Sequence, residues 1–108
     1  MSTITFDEFK KVELRVAEIL EAKTVPGADK ILELRVKIGD ETRSLAAGIA
    51  QQYAPESLVG RKIIVVTNLQ PRRVRGVESQ GMLLAASHDG RVTLLSVDGD
   101  VPSGSPVS

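Results

Sequence analysis

Between Val12 and Ile38 the apolar side chains recur with a period of two. Val12, Leu14 and Val16 face one way and Glu13 and Arg15 the other, and the parity slips before Ile19. This pattern predicts a long, curved first strand carrying a β-bulge. Pro26 and Gly27 end it in a loop. Leu32, Leu34, Val36 and Ile38 then alternate with Glu33, Arg35 and Lys37, the pattern of a half-buried second strand. Gly39 and Asp40 turn the chain into a third strand, Thr42 to Ile49, where Ala46, Ala47 and Gly48 are too small for ordinary core and imply close backbone approach. A short helix fits within 51–60, with Pro55 at its first position, Glu56 at its positive end and Gly60 just beyond its last turn. Ile63, Ile64, Val65 and Val66 form a continuous β-branched run. It reads as a fourth strand, extending to Leu69, buried on both faces or set in the wall of a small barrel. A fifth strand runs from Met82 to Ala86, followed by an Asp89-Gly90 hairpin turn and a last strand from Val92 to Val97. Ahead of the first strand, Phe6 and Phe9 lie three apart on a helical turn capped by Thr5 or Asp7 and read as a plug.

Three strands, a small helix and two further strands make the order of an OB-fold, an all-β, five-stranded Greek-key barrel. The barrel is expected over about 9–87 of a single domain spanning 1–108, with 88–108 as a C-terminal extension and the Gly-, Pro- and Ser-rich tail from Asp98 loosely held.

The stretch between the fourth and fifth strands changes the picture from fold to function. Pro71 stops the ladder, Arg72, Arg73 and Arg75 fall within four residues, and Gly76 and Gly81 bracket Val77 to Gln80. An arginine-rich loop held between two hydrophobic strands presents cations to phosphate. The whole chain has 14 basic and 14 acidic residues, yet residues 42–75 carry six basic and one acidic side chain, against seven and nine in 1–41 and one and four in 76–108. The middle is a basic island in an acidic chain. With no cysteine, disulfide and thiolate chemistry are excluded. Met1 is followed by polar residues and no apolar run approaches about 18 residues. Neither a signal peptide nor a membrane partner is expected, and the cytoplasm is the expected location.

Catalytic sets do not assemble. The single histidine, His88, lies beside Asp89-Gly90 and reads as a solvated turn residue. Ser79 is flanked by Gly76 and Gly81, but the nucleophile-elbow pattern needs glycine at 77, which is valine, and the stretch lacks the Gly-Lys-Ser/Thr ending of a phosphate-cradling loop. Glu13, Glu18, Glu21 and Glu33 read as a solvated outer face. No metal, no cofactor and no enzymatic activity of the chain by itself are expected.

Several motifs resemble the tRNA-binding domain family, found as a free-standing dimeric protein, as the C-terminal module or β-subunit of methionyl-tRNA synthetases, and in EMAP II-like factors. They are F-x-K-V-x-L-R-V at Phe9 to Val16, P-x-A-D-K at Pro26 to Lys30, A-G-I at Ala47 to Ile49, and Y-x-P-E-x-L-V-G-R-K at Tyr53 to Lys62. N-L-x-P at Asn68 to Pro71 and G-x-x-S-x-G-M-x-L-A-A at Gly76 to Ala86 complete them. The resemblance implies an OB-fold, a homodimer formed through segments appended to the barrel, and structure-specific binding to the outer corner of tRNA. By position it assigns RNA contacts to Lys30, Arg43, Lys62, Asn68, Arg72, Arg73, Arg75, Ser79, Gln80 and Met82. The family often has Ser-Gly-Ile where Ala47-Gly48-Ile49 stands, and aspartate where Lys37 stands.

The residues by themselves point the same way. With three aromatics, Phe6, Phe9 and Tyr53, the chain is poorly equipped to stack a splayed single strand. Its arginines suit phosphates and ribose hydroxyls on a folded RNA. The partners expected are tRNA, a second copy of the chain and methionyl-tRNA synthetase. A chaperone-like or protein-interaction OB dimer is the alternative, since a branch of the family is linked to protein export. A chaperone should expose an apolar patch and a tRNA binder a continuous basic one.

Overall fold

The computed structural model describes residues 2–108. A single helical turn, α1 (Phe6–Phe9), precedes β1 (Leu14–Val25), β2 (Ala28–Ile38) and β3 (Glu41–Ala47). A 3-10 turn (Pro55–Ser57) leads into β4 (Lys62–Val66). Short strands follow: β5 (Arg72–Val74), β6 (Val77–Ser79), β7 (Met82–Leu83), β8 (Ala85–His88), β9 (Arg91–Leu94) and β10 (Pro106–Val107). The fold is all-β and OB-like.

β1 is the shared strand. Its first half pairs with β4, its second half with β2, and Glu18 faces Lys62 on one edge and Lys37 on the other. The bulge lies one residue after Ile19, where the register with β2 shifts between Ile19 and Glu21. β2 buries Leu32, Leu34, Val36 and Ile38 as the alternation requires. They pack with Ile19, Leu45, Leu58, Ile63 and Val65 into one aliphatic core. Each such side chain contributes roughly 1.5–3 kcal/mol, and a slip of one residue would turn the whole row of β2 outward, so the register is strongly set.

The sheet runs β3-β2-β1-β4-β7, and residues at the end of β6 bond back to β3, closing the barrel on that side. There the Ala46 N–H donates to Ser79 Oγ at 3.1 Å, the Gln80 N–H to the Ser44 carbonyl at 2.9 Å, and the Ser44 N–H to Gln80 Oε1 at 3.1 Å. Gly81 follows at φ 146, and a Cβ there would sit 2.9 Å from the Val66 carbonyl oxygen. Only glycine closes this seam. The close approach expected at Ala46 to Gly48 falls instead at Gly81, just ahead of β7; a Cβ on Gly48 would meet nothing nearer than the Lys30 carbonyl at 4.0 Å.

Several expectations are corrected. The aliphatic side chains already fill the barrel, so Phe6 and Phe9 plug nothing and stay 72% and 39% exposed. Thr5 caps α1 reciprocally with Glu8. The predicted fifth strand breaks at Leu84 into β7, paired with β4, and β8, paired with β9 around the Asp89-Gly90 turn. Met82, at the start of β7, is 50% exposed, as a contact residue must be. The tail is locked in place: β10 pairs with Leu14 and Arg15, the Gly104 N–H donates to the Val16 carbonyl at 2.7 Å, and Gly104 rests on the backbone of Gly39. Its glycine and serines serve close packing there.

Candidate nucleic-acid interface

The basic stretch after β4 is a hairpin rather than a loop. β5 and β6 pair Arg72 with Ser79, Arg73 with Glu78 and Val74 with Val77. Cross-strand partners share a face, so Val77 and Ser79, 7% and 5% exposed, turn the Arg72–Val74 face toward the barrel. Arg73 and Glu78 point to solvent. Arg75 and Gly76 form the two-residue turn at φ 53 and 85, the positive values that a type I′ turn needs at both positions. Holding a non-glycine residue there costs roughly 1 kcal/mol, and it sets an arginine at the tip. That tip faces the β1–β2 turn across an open groove of about 490 Å³ lined by Gly27, Asp29, Lys30, Val74 and Arg75.

Beneath the hairpin, other polar residues are occupied by the fold. The Arg43 guanidinium donates to the carbonyls of Thr67 at 2.6 Å and Gln80 at 3.1 Å and pairs with Glu41 at 3.0 Å. Asn68 clamps the segment before β1: its Oδ1 accepts from the Glu13 N–H at 2.8 Å and its amide donates to the Lys11 carbonyl at 2.5 Å. The Glu13 carboxylate takes the Thr67 hydroxyl at 2.5 Å and Arg15 at 3.3 Å. The Thr67 hydrogen bond first, then that of Arg15, holds its carboxyl below the ordinary value of 4.5.

Residues 14–106 match the family described as "Putative tRNA binding domain". The chain belongs to this family. It is 55% identical over 105 residues to a methionine–tRNA ligase of Caldanaerobacter subterraneus, covering 97% of this chain and 16% of that protein. The chain thus spans about one sixth of the length of the curated relative it matches. A solved MetRS-related protein from Pyrococcus horikoshii superposes with a TM-score of 0.94 at 41% identity over 100% of both chains. The chaperone CsaA of Bacillus anthracis superposes at 0.90 with 28% identity, over 99% of this chain and 100% of that one.

In this tRNA-binding domain the residues singled out from sequence divide into two sets. Lys30, Arg72, Arg73, Arg75 and Met82 are exposed, and the arginines converge on one hairpin with Lys30 across the groove. Arg73 donates to the Gly76 carbonyl at 3.3 Å, which steadies the turn. Arg43, Ser79 and Gln80 spend polar atoms on the barrel seam, Asn68 holds the segment before β1, and Lys62 Nζ donates to the Val101 carbonyl, fastening the tail. Sequence reasoning passed over Leu69, 45% exposed beside Met82 and Arg72. A large apolar residue just before Pro71, beyond the buried run of β4, is the signal that marks it. His88 is a solvated turn residue 3.3 Å from Asp89. Among the described residues no group of three or more metal-ligating side chains gathers, and no helix is long and apolar enough to cross a membrane.

Proposed function

We propose that this chain is a single, non-catalytic domain that binds folded tRNA through the β5–β6 hairpin and the groove facing Lys30, working in the cytoplasm as a homodimer, alone or in support of a methionyl-tRNA synthetase. The observation that carries it is the set of exposed arginines on a hairpin whose inner face is packed on the barrel, in a chain of the tRNA-binding domain family. Planar guanidiniums fit phosphate oxygens in a forked geometry, and neutralising phosphates makes affinity fall steeply with salt. Lys30, Arg72, Arg73 and Arg75 are the contacts proposed, with Met82 at the hairpin root; Arg43, Ser79 and Gln80 support that surface from beneath, while Lys62 and Asn68 hold the tail and the segment before β1.

The second copy is proposed to sit on the apolar strip of Ile4, Phe6, Phe9 and Val12, all exposed, where α1 borders β10. A symmetric dimer would cover the strip and present two hairpins, raising avidity without new contacts. The same strip favours the second reading, a chaperone-like dimer, since the CsaA chaperone has this fold. A mobility-shift titration against folded tRNA and an unstructured RNA of equal length, at low and physiological salt, separates them. Preference for the folded RNA, lost when Arg72, Arg73 and Arg75 are all changed to alanine, supports the tRNA reading; equal or absent binding moves the weight to a protein partner.

A further inference from the structure

At the root of the hairpin a second, smaller recess of about 140 Å³ opens between Leu69, Arg72, Val74, Met82 and Ala46. We infer that it receives one unpaired nucleobase of the bound RNA, a reading that rests on the RNA-binding function proposed above.

The walls are apolar and the rim is cationic. Leu69 and Met82 stand 45% and 50% exposed on either side of it, an unusual outlay of apolar surface on a face otherwise lined with arginine. Neither side chain is needed by the core, which closes through Leu83 and the β-branched residues of β4. A thioether is polarisable and favours contact with the face or edge of an aromatic ring. A guanidinium stacks on the same kind of ring while its charge remains available to phosphate. Arg72 and Met82 together therefore supply the flat, polarisable contacts that aromatic residues give in other RNA-binding barrels. The aromatics of this chain are elsewhere, Phe6 and Phe9 beside β10 and Tyr53 beneath Arg61.

The recess also selects against a uniform helix. Bases within a duplex are stacked on both faces, and a narrow, deep groove or a shallow wide one keeps them from a pocket of this kind. An unstacked nucleotide in a loop or bulge can turn its ring inward while its flanking phosphates reach Arg72 and Arg73 outside. Continuity with the arginine hairpin sets the occupant: a charged, ring-bearing polymer matches an apolar slot bordered by fixed positive charge.

The test uses two RNA hairpins of one length, one fully paired and one carrying a single bulged 2-aminopurine, titrated with the protein at fixed salt. The expected result is an affinity for the bulged RNA on the order of tenfold above that for the paired one, with a change in 2-aminopurine fluorescence on binding. Met82→Ala and Leu69→Ala should each shrink the preference and the fluorescence change, with a thermal melt of each variant showing that it folds. Equal wild-type affinity for the two RNAs, a silent 2-aminopurine, or a preference unchanged in both folded variants overturns the inference while leaving the arginine-dependent binding intact. With folded tRNA titrated alongside, no binding of either hairpin while tRNA binds overturns this inference alone, and no binding of tRNA overturns the RNA reading and this inference with it. A labelled leucine-rich peptide that binds wild type but not Met82→Ala, with 2-aminopurine silent, assigns the recess to a polypeptide instead.

Discussion

Arg72 and Arg43 lie on strands that both pack against β6, and the fold treats them in opposite ways. Arg43 reaches inward, and three oxygens from Glu41, Thr67 and Gln80 take its guanidinium. Arg72 lies on a three-residue strand whose inner face is covered by Val74 and by Val77 and Ser79 of β6, and its charge stays at the rim. The hairpin and the seam thus share one composition but divide it: the seam spends its polar atoms to close the barrel, and the hairpin keeps its cations for a ligand. Basic residues close in space are not interchangeable parts of one patch.

Removing the hairpin cations should have the largest effect and the narrowest. With Arg72, Arg73 and Arg75 all changed to alanine, tRNA affinity should fall roughly ten- to a thousand-fold and the slope of log affinity against log salt should flatten by about three. The melting temperature should hardly move; a large drop in it would erase the distinction between hairpin and seam. Arg43→Ala should invert that profile. Losing charge-assisted bonds to two backbone carbonyls costs about 2–3 kcal/mol, a fall of roughly 10 °C in melting temperature for a domain of this size, while the folded fraction still binds RNA. Calorimetry and a titration below the midpoint report the two quantities separately.

A subtler split concerns the tip. Arg75→Asn places a residue that tolerates positive φ where an arginine is held at φ 53, so stability should rise by about 0.5 kcal/mol as RNA affinity falls. Opposite signs in one variant would show strain kept for the sake of function; a loss of both would not. The smallest effect is at Glu13. Its carboxyl titrates below 4.5 in the folded protein because Thr67, then Arg15, bonds the charged form. The unfolded chain therefore takes up a proton first as pH falls, so this stabilisation is complete above about 4.5 and disappears as pH drops through the lowered folded value. Acid-unfolding curves of wild type and Glu13→Gln should converge at low pH and separate slightly above it.

Where burial alternates, the sequence was a sufficient guide. Leu32, Leu34, Val36 and Ile38 announce β2, and Asp89-Gly90 announces a two-residue turn, because each signal is local and repeated. The hairpin was legible as a cationic segment but not as strands. Three residues on each side are too few to show a period, and Arg75-Gly76 is not among the usual turn pairs. Arg43 looked like any surface cation; its acceptors lie 24 and 37 residues away. The tail misled for the same reason: a composition rich in Gly, Pro and Ser describes local freedom, whereas β10 is held by β1 from the other end of the chain.

That pairing brings the first and last described segments of the chain into one neighbourhood, with Phe9 and Val107 lining a common groove. Leu14 and Val107 are 93 residues apart, so their pairing closes one of the longest loops in the fold and rests on only two residues of β10. In a hydrogen-exchange measurement β10 should therefore open well before β2, whose partners on both sides are its neighbours in sequence.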